Sequence, residues 1–154
     1  MTDARFDTAY SALPDPVTQP GFYADVPFKR LIAFFFDAAI VVGLTIALSF
    51  ATLGLGFFVF FGLVGIVSLL YRWLSIAGGS ATWGMRLMAI ELRNHRGERL
   101  TSLEAFLHTV AFLISFGMVI VQVISAIMMV TTPRGQGLAD MLFGTVAINR
   151  TARR

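Results

Sequence analysis

Arg30 and Asp37 are the residues whose types and spacing first suggest chemistry. Asp37 sits early in an apolar run that continues to Tyr71 and is otherwise interrupted only by Gly, Ser and Thr. A charge at bilayer depth costs about 2.5–3.5 kcal/mol on insertion scales, so it needs a partner or a purpose. Seven residues at 3.6 per turn bring Arg30 and Asp37 to nearly the same helix face, with an axial gap of about 10 Å. That gap is too long for direct contact unless Arg30 folds down, so Asp37 is expected to meet water or a charge from elsewhere as well. The chemistry such a group supports is protonation or cation binding in a partly dry site, its pKa raised by burial and lowered by Arg30 or Arg86. The competing reading is a structural ion pair that fixes the helix against the inner loop. Asp140, the second conspicuous carboxylate, lies near the inner surface and reads as structural, bonding loop arginines or capping backbone amides. The sharper expectation is that Asp37, Arg30, Asp140 and Arg86 converge as one charge cluster at the cytoplasmic mouth.

Other chemistries find little support in the residue inventory. The chain has no cysteine and two histidines, His95 and His108, so no disulfide, metal site or cofactor is expected. His108 follows Glu104 by four residues, which suggests a local pair on a helix surface. Gln122 and Ser125 read as interhelical hydrogen-bonding groups. Gly78-Gly79 lacks the Gly-Lys-Ser/Thr of a phosphate loop, and no nucleophile–base pair stands out, so an enzyme is the poorest reading.

The elements that must position these groups are those of an all-α, polytopic transmembrane protein. Of its 154 residues 56% are hydrophobic and 14% charged, with mean hydropathy +0.76, outside the soluble range. Residues 1–27, with four aspartates and four prolines, read as a flexible acidic tail. Helices are expected at about 28–53 and 55–71, forming a hairpin that turns near Ser49–Gly56, the second ending in the aromatic–basic anchor Tyr71-Arg72-Trp73. Ala39, Gly43, Ala47 and Ala51 form a small-residue ladder roughly opposite Asp37, a candidate packing face. The glycine-rich stretch after Ser75 leads to Met85–Arg93, which reads as a short strand or an interfacial segment. Thr101-Ser102-Leu103-Glu104 matches a capping box and opens the third helical segment, about 102–131. Its apolar part, Ala105–Val130, is either one crossing or a pair broken at Ser115-Phe116-Gly117 that dips in and returns. The arginines behind it, Arg134, Arg150, Arg153 and Arg154, favour the returning pair. A β-like piece is expected after Gly144, and 151–154 is a basic tail. Lys29, Arg30, Arg72, Arg86, Arg93, Arg96 and Arg99 put the N-terminus in the cytoplasm, and the returning pair puts the C-terminus there too. The net charge of +3, nearly all arginine at the ends of apolar segments, suits anionic lipid headgroups rather than nucleic acid.

With these motifs in order, the chain resembles the RDD family of small bacterial membrane proteins, named for one arginine and two aspartates. Arg30 and Asp37 match the family's arginine and first aspartate, and Leu138–Val146 matches the segment with the second, Asp140, followed by Gly144-Thr145. Thr82, Gly84 and Arg86 match its glycine-rich basic loop. The resemblance covers about residues 22–150 and implies a bacterial inner-membrane location. Three departures stand out: Ala139 occupies a position commonly histidine, Met85 one often basic, and His108 fills the place of a basic residue early in the third helix. A proton relay through position 139 is therefore not expected. Transport of an ion, proton or small solute by a tuned intramembrane aspartate is the activity the resemblance suggests. The alternative is a membrane accessory or scaffold that assembles or regulates a partner. So short a chain would need a homo-oligomer or a membrane protein partner to enclose a pathway.

Overall fold

The computed structural model describes residues 12–150. Helix α1, Val26–Ala51, begins at Asp25, whose left-handed backbone turns the chain. Pro27 follows in the first turn, where a missing N–H leaves no bond unmade. Its buried face reads Ala33, Asp37, Val41, Thr45 and Ser49, a repeat of four that keeps one stripe inward. The two hydroxyls on that stripe are satisfied within the helix: Thr45 donates to the Val41 carbonyl and Ser49 to the Thr45 carbonyl, each at 2.8 Å. Ala39, Gly43, Ala47 and Ala51 lie on the exposed side, and a Cβ built at Gly43 would meet nothing within 4 Å.

The hairpin turn falls where the uncharged small residues placed it. Leu53 and Gly54 take positive φ, and a short 3-10 turn at Leu55–Phe57 follows. Gly56 packs so closely on Ser49 that a Cβ would lie 2.7 Å from its Cα. Helix α2 consequently begins later than expected and runs from Phe60 to Ala77. It also continues past Tyr71-Arg72-Trp73, because nothing before Gly78-Gly79 interrupts helical backbone. The anticipated anchor is thus inside the helix, and Trp73 donates to the Ser102 carbonyl at 3.1 Å.

Helix α3, Trp83–Leu87, is a short turn capped by Thr82, whose hydroxyl accepts from the Met85 N–H. Strand β1, Ile90–Arg93, then pairs antiparallel with β2, Val146–Asn149, in the register Ile90↔Asn149 to Arg93↔Val146. The strand reading holds for Ile90–Arg93 and for the piece after Gly144, whereas Met85–Leu87, read as part of the same stretch, is helical. Between the strands come α4, Ser102–Gly117, opened by the Thr101/Glu104 capping box, and α5, Val119–Thr131. They are bent by 117° at Met118, one residue past the expected break, so the segment is not one continuous rod. Helix α6, Leu138–Phe143, closes on Gly144, which takes the left-handed C-cap conformation.

Because β1 precedes the α4–α5 pair and β2 follows it, the sheet ties both ends of the bent pair to one end of the molecule. The core lies there as well: Ile76, Ala81, Ile90, Leu92, Leu100, Ala105 and Ala147 pack together under the start of α1. Helices α1 and α2 are long and apolar enough to cross a membrane, and Phe35, Ile46, Phe58, Phe61 and Ile66 face outward. Much of the N-terminal tail is not loose. Leu13 and Tyr23 are buried against Val146 and Ile148, and Asn149 donates to the carbonyls of Gly21 and Ala24. Residues 12–25 therefore belong to the folded unit. Residues 1–11 and 151–154 lie outside the described residues.

Candidate functional site

Asp37 is 3% exposed and is enclosed by groups from α2 and the start of α3. Tyr71 on α2 donates its hydroxyl to Oδ1 at 2.6 Å, and the Gly84 N–H at the start of α3 donates to the same oxygen at 2.9 Å. Thr82 donates to Oδ2 at 2.6 Å while its oxygen caps α3, so one hydroxyl joins the carboxylate and the helix start. The nearby cation is Arg72, with Nη1 3.6 Å from Oδ2, farther than a hydrogen bond reaches. Gly84 has no alternative here: a Cβ would stand 2.3 Å from the Ala33 carbonyl oxygen and 2.9 Å from Asp37 Oδ1.

Asp140 is fully buried and equally enclosed. Arg30 Nη1 lies 2.5 Å from Oδ2, which also accepts from the Gly137 N–H at 3.0 Å. Oδ1 meets His108 Nε2 at 2.9 Å and the Thr145 hydroxyl at 3.1 Å. Burial by itself pushes this carboxyl's pKa up, but the Arg30 charge and the His108 contact prevail and hold it well below the usual carboxylate range.

The four charges named from the sequence do not form one cluster. Arg30 pairs with Asp140 rather than Asp37, because a flexible side chain too short to bridge two helical turns reaches sideways to α6 instead. Arg86 joins neither carboxylate; it donates to the carbonyls of Ser75 and Ala81 and lies over the Trp83 ring, closing the loop backbone on itself. His108 likewise turns to Asp140 and not to Glu104, which is engaged in the capping box. Thr82, Gly84 and Thr145 all reach a carboxylate, whereas Gly144 shapes the turn that aims Thr145.

Tyr71, Arg72 and His108 are the site residues that sequence reasoning placed elsewhere. The continuation of α2 to Gly78 was the available signal for the first two. For His108 it was the match to a basic position early in the third helix.

Both ion pairs border one cavity of about 690 Å³ between α1 and the inner faces of α4 and α5. Ala33, Phe34, Phe112, Phe116, Ala126 and Met129 supply apolar wall, and Arg30, Arg72, His108 and Gln122 supply polar groups. The Arg72 guanidinium lies 3.9 Å from the centre of the Phe112 ring, and its buried Nε has no hydrogen-bond partner. His108 Nδ1 is also buried without one. The carboxylates are thus well supplied with donors, while donor capacity on Arg72 is left over.

The sequence model of the RDD family matches residues 25–144, most of the chain, and the protein belongs to that family. Comparison with curated proteins and with solved structures found no match.

Proposed function

We propose that this protein is a transport-type component of a bacterial inner membrane, with the cavity between α1, α4 and α5 as the solute's site. The observation that carries the reading is the position of that cavity. It opens among apolar helices, reaches two buried ion pairs, and has as one wall a helix pair broken at Met118. Broken helices lining a cavity are a recurrent way to bring polar groups to a solute within a membrane. In this reading Asp37 is paired with Arg72, and Arg30 with Asp140. The N-terminus is cytoplasmic, because Lys29, Arg30, Arg86, Arg93, Arg96 and Arg99 gather towards the sheet-bearing end. The C-terminus is cytoplasmic too, since β2 lies beside β1.

The rival reading, a membrane accessory that assembles or regulates a partner, draws on a different observation. Each carboxylate accepts three or four hydrogen bonds from the chain itself, as a purely architectural pair would. Flux separates the two. The purified protein in sealed vesicles should move protons, sodium, potassium or a small organic anion faster than protein-free vesicles do. No flux for any member of that panel, together with co-purification of a stoichiometric membrane partner, would overturn transport in favour of the accessory role.

A further inference from the structure

We infer that the cavity binds an anionic phospholipid, its headgroup oxygens on Arg72 and Arg30 and one acyl chain along the apolar wall. The inference rests on the cavity being the ligand site and names the chemical class of the ligand.

The charge distribution selects an anion. Asp37 and Asp140 are occupied as acceptors by donors from the chain, so neither offers a vacant carboxylate oxygen to a cation. Arg72 is in the opposite state. Its side chain is only 12% exposed, its Nε has no partner, and its closest carboxylate oxygen is 3.6 Å away. A buried guanidinium N–H without a hydrogen bond is costly, and a phosphate or carboxylate oxygen is the group that best suits the planar fork. Arg30, 15% exposed, lines the same cavity, and both of its hydrogen bonds run through Nη1.

The walls select an amphiphile, and the level of the arginines selects a lipid. Phe34, Phe112, Phe116 and Met129 would receive hydrocarbon. The volume lies within the roughly 300–1,000 Å³ typical of small-molecule sites, which suits a headgroup with part of one chain. Arg30 is four residues inside the start of α1 and Arg72 five residues inside the end of α2, at the same end of the hairpin. That is about 6–8 Å from those helix ends, a depth that a lipid phosphate reaches when the ends lie at the membrane surface. A lipid phosphate therefore arrives at the arginines while its chain runs deeper beside Phe34.

The test is native mass spectrometry of the full chain released from mixed micelles of phosphatidylglycerol, phosphatidylcholine and phosphatidylethanolamine. A one-to-one phosphatidylglycerol adduct should dominate and should fall about tenfold in Arg72→Gln, as expected for a lost charge-assisted hydrogen bond. Arg72→Gln also strands Asp37, so Ala126→Trp provides a second arm: it fills the cavity wall and leaves every charge in place. Loss of the adduct in Ala126→Trp with an unchanged melting temperature supports the site. Equal adducts with all three lipids, or a phosphatidylglycerol adduct that survives Ala126→Trp, would overturn it. So would one-to-one retention of added oleate in place of phosphatidylglycerol, which would make the occupant a free fatty acid. Adduct formation in a protein that fails the flux panel and co-purifies with a stoichiometric membrane partner would retain this inference and reject transport; flux without an adduct would do the reverse.

Discussion

Two buried ion pairs of similar composition hold this protein together, and their partners are crossed relative to simple helix spacing. Asp37 belongs with Arg72, and Asp140 with Arg30 and His108. Removing one member of a buried pair leaves the other charge uncompensated, at a cost of about 3–5 kcal/mol. Asp37→Asn should therefore lower thermal stability sharply. Combined with Arg72→Gln, the double loss should be smaller than the sum by about 0.5–3 kcal/mol, the range for groups in contact. Asp37→Asn with Arg30→Gln, linked only through the charge on Arg72, should couple less strongly than that pair does. Strong coupling in that second cycle, read from denaturation in a fixed detergent, would put Arg30 back beside Asp37.

Asp140 also makes a residue-level statement about acid. Its carboxyl titrates lower in the fold than in the unfolded chain, where the value is about 3.9. Between those two values the unfolded state binds the extra proton, so stability falls as pH falls. The stabilisation is fully present above the unfolded value and is lost on the way down to the folded one. In Asp140→Asn the acid slope of stability should be shallower than in the parent; equal slopes would mean that the Arg30 and His108 contacts leave the carboxyl unperturbed.

At the scale of elements, close approach decides which glycines matter. Gly84 lets α3 press its N-terminus against α1, and its N–H reaches Asp37 only because no Cβ intervenes. Gly84→Ala drives a methyl group into the Ala33 carbonyl and should destabilise by about 1–3 kcal/mol or more. Gly43 is the contrasting case on the exposed ladder. Gly43→Ala should stabilise the isolated chain by up to about 1 kcal/mol through helix propensity. A loss of stability or of oligomer in Gly43→Ala, seen by size-exclusion with light scattering, would instead mark the Ala39/Gly43/Ala47/Ala51 face as packed on another helix.

For the whole molecule, the sheet brings the segments before and after the α4–α5 pair together. The proposed topology, in which the pair enters and leaves on one side, draws on that pairing. The absence of cysteine makes this easy to measure with single-cysteine variants. In sealed cells a membrane-impermeant thiol reagent should label Leu53→Cys in the hairpin turn and spare His95→Cys, which should react only after permeabilisation. Gly117→Cys, at the bend, should be shielded from the outer side. Labelling of His95→Cys in intact cells would reverse the orientation.

By itself the sequence determined the class of molecule, the hairpin and the family's charged positions, and it offered the break in the last apolar segment as one of two readings. These features are local: an unbroken apolar run, a Gly-rich turn and a capping box act over a few residues, and their physics needs no distant partner. Only the tertiary structure decided who meets whom. Whether Arg30 turns to Asp37 or to Asp140 depends on how α6 folds back beneath α1 after the bend at Met118, which lies in neither motif. The packing of Leu13 and Tyr23 on β2, and the burial of Arg72 beside an apolar cavity, follow from the same cause. Long side chains have reach enough for several partners, and the choice is made by the chain segments that arrive from far away in sequence.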